Sequence, residues 1–372
     1  MASVKAITTI LALFFVAVLA VCGGGGSGSS SVLQHGGALS WQQVSVPSGA
    51  TQVISFAVNG SNHWFIADRN KGFYRSNDQG ASWTAINSGV ANTFGWSINV
   101  NPSTGDLIGS TYSGSSGSVP VKFYRSTNEG ASWTAISSVA LSAATALTGC
   151  AFPSNGNVVC GGFWATSISS GAWVSTNGGQ STTSVSNGST MGSSVYSLAV
   201  NPVGGDVWLG TEQMGIFRSS DNGLTWAQAS PADTNVDPTN GIRDGNIYGI
   251  TFDHNGNVLF SSQGGIWKSS KTSGGYSWTN VLANHNTANG KALGRDAAGD
   301  MFYGHNPDPS DTTSVRCSTD DGATWKACDS GVPAGLTAQS FVISPADGKL
   351  FAVLRDESGN AGFLYRTTIA VQ

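Results

Sequence analysis

Charge is what this sequence has least of. Only 10% of its 372 residues are Asp, Glu, Lys or Arg, and the formal net charge is −4. That balance does not supply the basic face that nucleic acid requires, so nucleic acid is not expected as a partner. No long stretch shows the 3.6-residue apolar period of an amphipathic helix, which argues against a helical domain. Cysteine is scarce, with five copies. No Cys-x-x-Cys pair or nearby histidine points to a metal, and no metal site is expected. A nucleotide-binding loop, a Ser–His–Asp arrangement and a haem motif are missing too, so no cofactor is expected. Glycine, in contrast, numbers 50, and Ser, Thr and Asn are abundant. Such a composition suits many short strands joined by turns. All-β rings of this length often form one domain.

The long apolar run near the start, residues 10–21, follows Lys5 and ends at Cys22. It is too short to span a bilayer comfortably and fits the core of an export signal. Leu19, Ala20, Val21 and Cys22 resemble a bacterial lipobox, in which the cysteine is lipidated and becomes the mature N-terminus. A plain secretory signal cleaved nearby is the alternative. The expected organisation is a signal peptide over 1–21, a Gly/Ser-rich tether over 22–32 and one folded domain over 33–372. The membrane is then touched only through the lipid on Cys22. Gly23 stands where enteric lipoproteins held at the inner membrane carry aspartate, so the outer membrane or cell surface is the expected location. The other cysteines support export. Cys150 and Cys160 lie symmetrically about a turn at Asn155, and Cys317 and Cys328 flank another turn, as two local cross-strand disulfides.

One motif recurs along the chain. Ser76, Asp78, Gly80, Ser82 and Trp83 form the pattern Ser-x-Asp-x-Gly-x-Ser-Trp, entered through Phe73, Tyr74 and Arg75. Complete copies, or boxes, occur at 219–226 with Asp221, Gly223 and Trp226, and at 318–325 with Asp320, Gly322 and Trp325. Copies at 126–133 and 175–182 carry Asn128 and Asn177 for the aspartate, the second ending in Thr182; a stretched copy spans 269–278. The spacing of about fifty residues marks a repeat architecture. Between boxes, apolar strands turn at short Gly-containing loops, so each repeat reads as strand A, turn, strand B, loop, strand C, box, strand D. At the chain ends, Leu364, Tyr365 and Arg366 match a strand entering a box, and residues 40–44 match a strand leaving one. Pairing them completes a seventh repeat and closes a ring with no open edge. The expected fold is all-β: a seven-bladed β-propeller of four-stranded antiparallel blades, as a monomer.

Up-and-down strand order puts the A–B turns and the boxes on one face of the ring. The B–C loops and D–A connections fall on the other. Those connections vary in length and composition, and variable loops on a rigid scaffold are where binding sits. This mouth collects Asp68 and Arg69 from blade one, Tyr112 from blade two, Trp164 from blade three, and Glu212 and Gln213 from blade four. Blade six adds His305, blade seven adds Arg355 and Asp356, and the insertion before blade five adds Arg243 and Asp244. Aromatic faces stack on sugars, while acids, amides and guanidinium groups hydrogen-bond hydroxyls and carboxylates. A polysaccharide or other glycan, or an envelope protein, is the expected partner. The box aspartates are expected to serve their turns by accepting backbone N–H bonds, with Gly80, Gly223 and Gly322 at positive φ. Trp83, Trp226 and Trp325 are expected to bury their rings against the neighbouring hairpin.

The Ser-x-Asp-x-Gly-x-Ser-Trp pattern resembles the Asp box of sialidases and other BNR-repeat β-propellers. Resemblance to sialidases implies six blades, three arginines gripping a carboxylate, a Tyr–Glu nucleophile pair and an Asp acid. Arg69, Arg243 and Arg355 are the arginines on the appropriate face, while the Arg-Ile-Pro motif that opens a sialidase domain is absent. Similarity to seven-bladed xyloglucanases implies glycoside hydrolysis by two carboxylates, about 6.5–9.5 Å apart for inversion or about 5 Å for retention. Asp68 with Asp356, or Glu212 with Asp244, are the available pairs. The single ring also resembles photosystem II assembly factors and sortilin-type receptors, which bind proteins or peptides. The reading adopted is a lipoprotein that binds glycans or envelope polymers without catalysis. A glycoside hydrolase or polysaccharide lyase is the alternative, and a protein-binding assembly factor or receptor the second.

Overall fold

The computed structural model describes residues 39–111, 122–138, 144–164, 171–185, 194–212, 214–229, 246–262, 264–273, 275–283, 292–307, 311–356 and 358–371. The expected signal peptide and tether with Cys22, and Tyr112, Gln213, Arg243 and Asp244 of the expected mouth, lie outside them. For Trp164 only the backbone is described.

Seven antiparallel sheets, each with strands in the order A-B-C-D, form the blades of a β-propeller, and no helix occurs among the described residues. Blade one shows the pattern: Val53–Val58, Trp64–Asp68, Gly72–Ser76 and Thr84–Ala85. Strand B is buried at every residue in blades one, two, four and five, because it lies mid-blade with a neighbouring blade on either side. In blades one, two, four and six strand D is two residues long and exposed at the rim. Blade seven takes its strand D from the other end of the chain: Trp41–Gln43 pairs antiparallel with Gly362–Ala370, setting Trp41 opposite Thr367. The ring closes as the two half-hairpins predict.

The box is a hydrogen-bonded turn. In the first, Asp78 Oδ1 accepts from the Ser76 hydroxyl and the Ser82 N–H, both at 2.8 Å, and Ser76 Oγ accepts the Gly80 N–H at 2.8 Å. The Ser82 hydroxyl and N–H hold the Asp78 carboxyl down at about 2. Gly80, Gly223 and Gly322 stand at φ +89°, +91° and +80°. Three tryptophans at the start of strand D tie their blade to the one before: the indole N–H of Trp41 donates to Cys328 O, of Trp83 to Ser45 O and of Trp133 to Ile86 O, at 2.6–3.0 Å. Trp226 and Trp325 donate to the carbonyl of their own box glycine, and both still pack against the preceding blade. Cys150–Cys160 and Cys317–Cys328 are bonded, with Cα atoms 4.1 and 5.8 Å apart.

Two blades depart from the expected pattern. In blade five the stretched box is no turn of that kind, and Gly265–Thr272 and Gly275–Ala283 run on as one long hairpin. Blade three gains a fifth strand, Ser137–Ser138, parallel to Ser181–Ser184. Thr182 has no indole to reach the preceding blade, and a backbone ladder makes that link instead.

Candidate functional site

The seven inner strands converge on an open channel of about 290 Å³, lined by strand A residues of every blade, among them Ser55, Ile98, Thr148, Tyr196, Tyr248 and Gln339. A local irregularity shapes its entrance. In five blades the A–B register slips by one residue, between Val53 and Ser55, Gly95 and Ser97, Leu147 and Gly149, Val195 and Ser197, and Ala338 and Ser340. The interposed residues are Ile54, Trp96, Thr148, Tyr196 and Gln339. A β-bulge re-aims such a side chain, and bulges concentrate beside functional sites. Tyr248 takes this place in blade five, just before the ladder opens at Gly249. The next residue inward is small, and in blades one and four its hydroxyl ties adjacent blades: Ser55 Oγ donates to Ile98 O at 3.2 Å and Ser197 Oγ to Ile247 O at 3.1 Å. Small side chains are what allow seven strands to meet around one axis.

Two walls of the mouth carry chemistry. On blades four and five, Tyr196 and Tyr248 stack with ring centroids 5.4 Å and planes 28° apart. Glu212, just past the end of strand B in blade four, stands beside the Tyr196 phenol. Burial first, then the Glu212 carboxylate, hold that phenol well above the usual tyrosine range. Across the ring lies a wall formed by blades seven, one and two. There Arg69 sits over Trp96, 5.7 Å from the ring centroid. Arg355 Nη2 donates to Gly359 O at 2.7 Å, a carbonyl it shares with Gln52 Nε2. Burial and the nearby Arg69 charge lower the Arg355 pKa, against the pull of Asp356.

The predicted carboxylates fare differently. Asp68 is fully buried and accepts the N–H groups of Gln52 and Asn70, each at 2.9 Å, which fixes its own loop. Asp356 accepts from the Ser358 hydroxyl at 2.7 Å and the Ala361 N–H at 3.1 Å, and these bonds lower its pKa. Both acids therefore perform turn chemistry, and Glu212 is the described candidate that faces the channel-lining aromatics. His305 is buried, with Nδ1 2.8 Å from Thr313 O and Nε2 3.7 Å from Asp311. Burial pushes Asp311 up, but hydrogen bonds from Arg316 and Thr313 outweigh it and hold the carboxyl at about 2. Sequence reasoning overlooked Tyr196, Tyr248 and Gln339. A tyrosine opening an apolar strand reads as core, and the bulge that turns it to the axis leaves no mark in the alternation.

The chain matches no model of a known protein family and no curated protein sequence. Its fold is shared with solved structures. It is similar to YCF48 from Cyanidioschyzon merolae, with TM-score 0.60 and 14% identity over 88% of this chain and 98% of that one. It is similar to the GH74 enzyme of Niastella koreensis, with TM-score 0.60 and 18% identity over 87% of this chain and 53% of that one. The extracellular domain of a hybrid two-component system from B. thetaiotaomicron gives TM-score 0.61 and 14% identity over 88% of this chain. The chain spans only 39% of that domain's length. At these identities the likeness is one of fold.

Proposed function

We propose that this protein is an exported, lipid-anchored propeller that binds glycans or envelope polymers at the channel mouth opposite the boxes. The stacked pair of Tyr196, at a bulge, and Tyr248, just ahead of its strand, carries the reading. Packing does not demand aromatics there, since the equivalent residues of blades three and seven are Thr148 and Gln339. Aromatic faces at a channel entrance, beside the Glu212 carboxylate and the Gln339 amide, suit a sugar ring and its hydroxyls. Two disulfides fit an oxidising compartment. Residues 19–22 supply the anchor in this reading, through lipid on Cys22.

A hydrolase is the second reading, favoured by the Glu212 carboxylate beside the Tyr196 phenol, a Tyr–Glu pair of the kind sialidase chemistry uses. Against it, Asp68 and Asp356 are engaged by their own loops, and the Asp356 pKa is lowered where a glycosidase acid needs it raised. The test is a glycan array probed with the mature chain, with product analysis on each captured glycan. We expect capture without cleavage, and an affinity loss of about tenfold or more when Tyr196→Ala and Tyr248→Ala are combined, equivalent to about 1.4 kcal/mol. Unchanged capture by that double variant, or a blank array, overturns the proposal. Cleavage abolished by Glu212→Gln replaces it with the hydrolase.

A further inference from the structure

The strand C residue just before the box serine, or its counterpart Thr367, is basic in five blades: Arg75, Arg125, Arg218, Lys268 and Arg366. In three of them it neutralises an acid of its own A–B turn. Arg125 lies 2.6 Å from Asp106 and Arg218 lies 2.8 Å from Asp206, both acids being the last residue of the turn. Lys268 Nζ lies 3.0 Å from Asp253, the first residue of its turn. Blade six has acids at both places, Asp296 first and Asp300 last, and at the basic place it has Cys317, bonded to Cys328. Arg316, one residue earlier and so on the other side of the strand, pairs with Asp311.

The two acids are only 4% and 3% exposed. Asp296 Oδ1 accepts the Asp300 N–H at 2.9 Å. In blade five the other oxygen, Asp253 Oδ2, meets the Asn257 amide at 2.8 Å and the Lys268 ammonium at 3.0 Å. In blade six the matching Oδ2 of Asp296 is buried and has no hydrogen-bond donor among the described residues, and Asn257 is replaced by a second carboxylate. Burial chiefly, with the Asp300 charge adding to it, pushes Asp296 up to about 6 against the backbone N–H bonds of the turn. Arg295 Nη2 and Nε lie 3.6 and 3.9 Å from the place that a Cβ on Gly299 would take. A buried carboxylate oxygen without a donor is costly, and the neighbouring repeat shows which group removes the cost: a cation.

We propose that Asp296 and Asp300 bind a hard cation, calcium in the exported protein, which takes in blade six the place that the Lys268 ammonium takes in blade five. Carboxylate oxygens select hard ions, and calcium tolerates irregular oxygen sets completed by carbonyls and water. Two carboxylates make a modest ligand set, so the expected affinity is that of extracellular calcium modules, about 10⁻⁴–10⁻³ M. The site is on the box face and is independent of the ligand at the mouth.

The test uses the mature chain, stripped with chelator, and follows thermal unfolding while calcium chloride is added, with sodium chloride at matched ionic strength as control. Calorimetric titration of the same protein measures stoichiometry. We expect one site and a saturable rise in Tm of about 2–3 °C at ten times Kd. Asp296→Asn and Asp300→Asn should both lose the response and the calorimetric signal. Asp300→Asn should also melt above the stripped wild type, because it restores the amide that Asn257 provides in blade five. A wild type that melts alike in chelator and in calcium overturns the proposal. So does either variant that keeps the full response.

Discussion

Gln79, Glu129, Asn222 and Asp321 share a backbone conformation that side-chain-bearing residues rarely adopt, with φ between 54° and 60°. Each is the residue between the aspartate or asparagine and the glycine of its box. Such a conformation costs about 1–3 kcal/mol, and in three of the four the neighbouring blade supplies an offset. Glu129 accepts from Asn59 at 2.8 Å and meets His63 at 3.0 Å. Asn222 O accepts from Asn157 at 3.1 Å; Asp321 O accepts from Lys268 at 2.8 Å, and its carboxylate pairs with His254. The glycine that follows has no such freedom to vary. A Cβ on Gly223, at φ +91°, would collide with Val159 of blade three. Gly223→Ala should therefore cost about 2–4 kcal/mol in denaturant unfolding, strain and overpacking together. Gly105, at φ +77° with open space around it, serves as control, and Gly105→Ala should cost about 1 kcal/mol. Equal losses at the two sites would show that the contact with blade three is immaterial.

Blades one, two, four and six have outer strands of only two residues, and blade six shows how one is secured. Its strand D is only Lys326–Ala327, exposed at both residues. Cys328 follows directly and is bonded to Cys317 in strand C, eleven residues away in sequence. The other disulfide joins strands A and B of blade three, where the ladder is already long. Both close loops of similar length, and a loop of this size constrains the unfolded chain by about 2–3 kcal/mol. The native-state consequences should differ. Replacing Cys317 and Cys328 by Ser should raise amide exchange at 326–328 as well as lowering stability, whereas replacing Cys150 and Cys160 should lower stability alone. Similar exchange at 326–328 in both variants would refute this distinction.

Ring closure rests on a three-residue strand. Trp41–Gln43 covers the edge of Gly362–Ala370, and the Trp41 indole reaches blade six through Cys328 O. A mature chain truncated to begin at Ser45 leaves that edge open, and an open edge recruits other chains. The truncated chain should elute as oligomers and lose its single cooperative melting transition. A monomer with unchanged Tm would mean that the velcro strand is dispensable.

The number of blades, the two faces, the shared seventh blade and both disulfides were legible in the chain, because they follow from strand alternation and turn chemistry that operate over ten residues or so. The candidate site was legible only as a list of loop residues. Asp68 looks like a free acid in sequence, yet folding buries it against Gln52 and Asn70. Tyr196 and Tyr248 look like core, yet a register slip at Tyr196 and the meeting of inner strands about fifty residues apart bring them together at the axis. Local hydrogen bonding determines a blade by itself. Which side chains face one another across the channel depends on contacts between blades, and only the closed ring decides those.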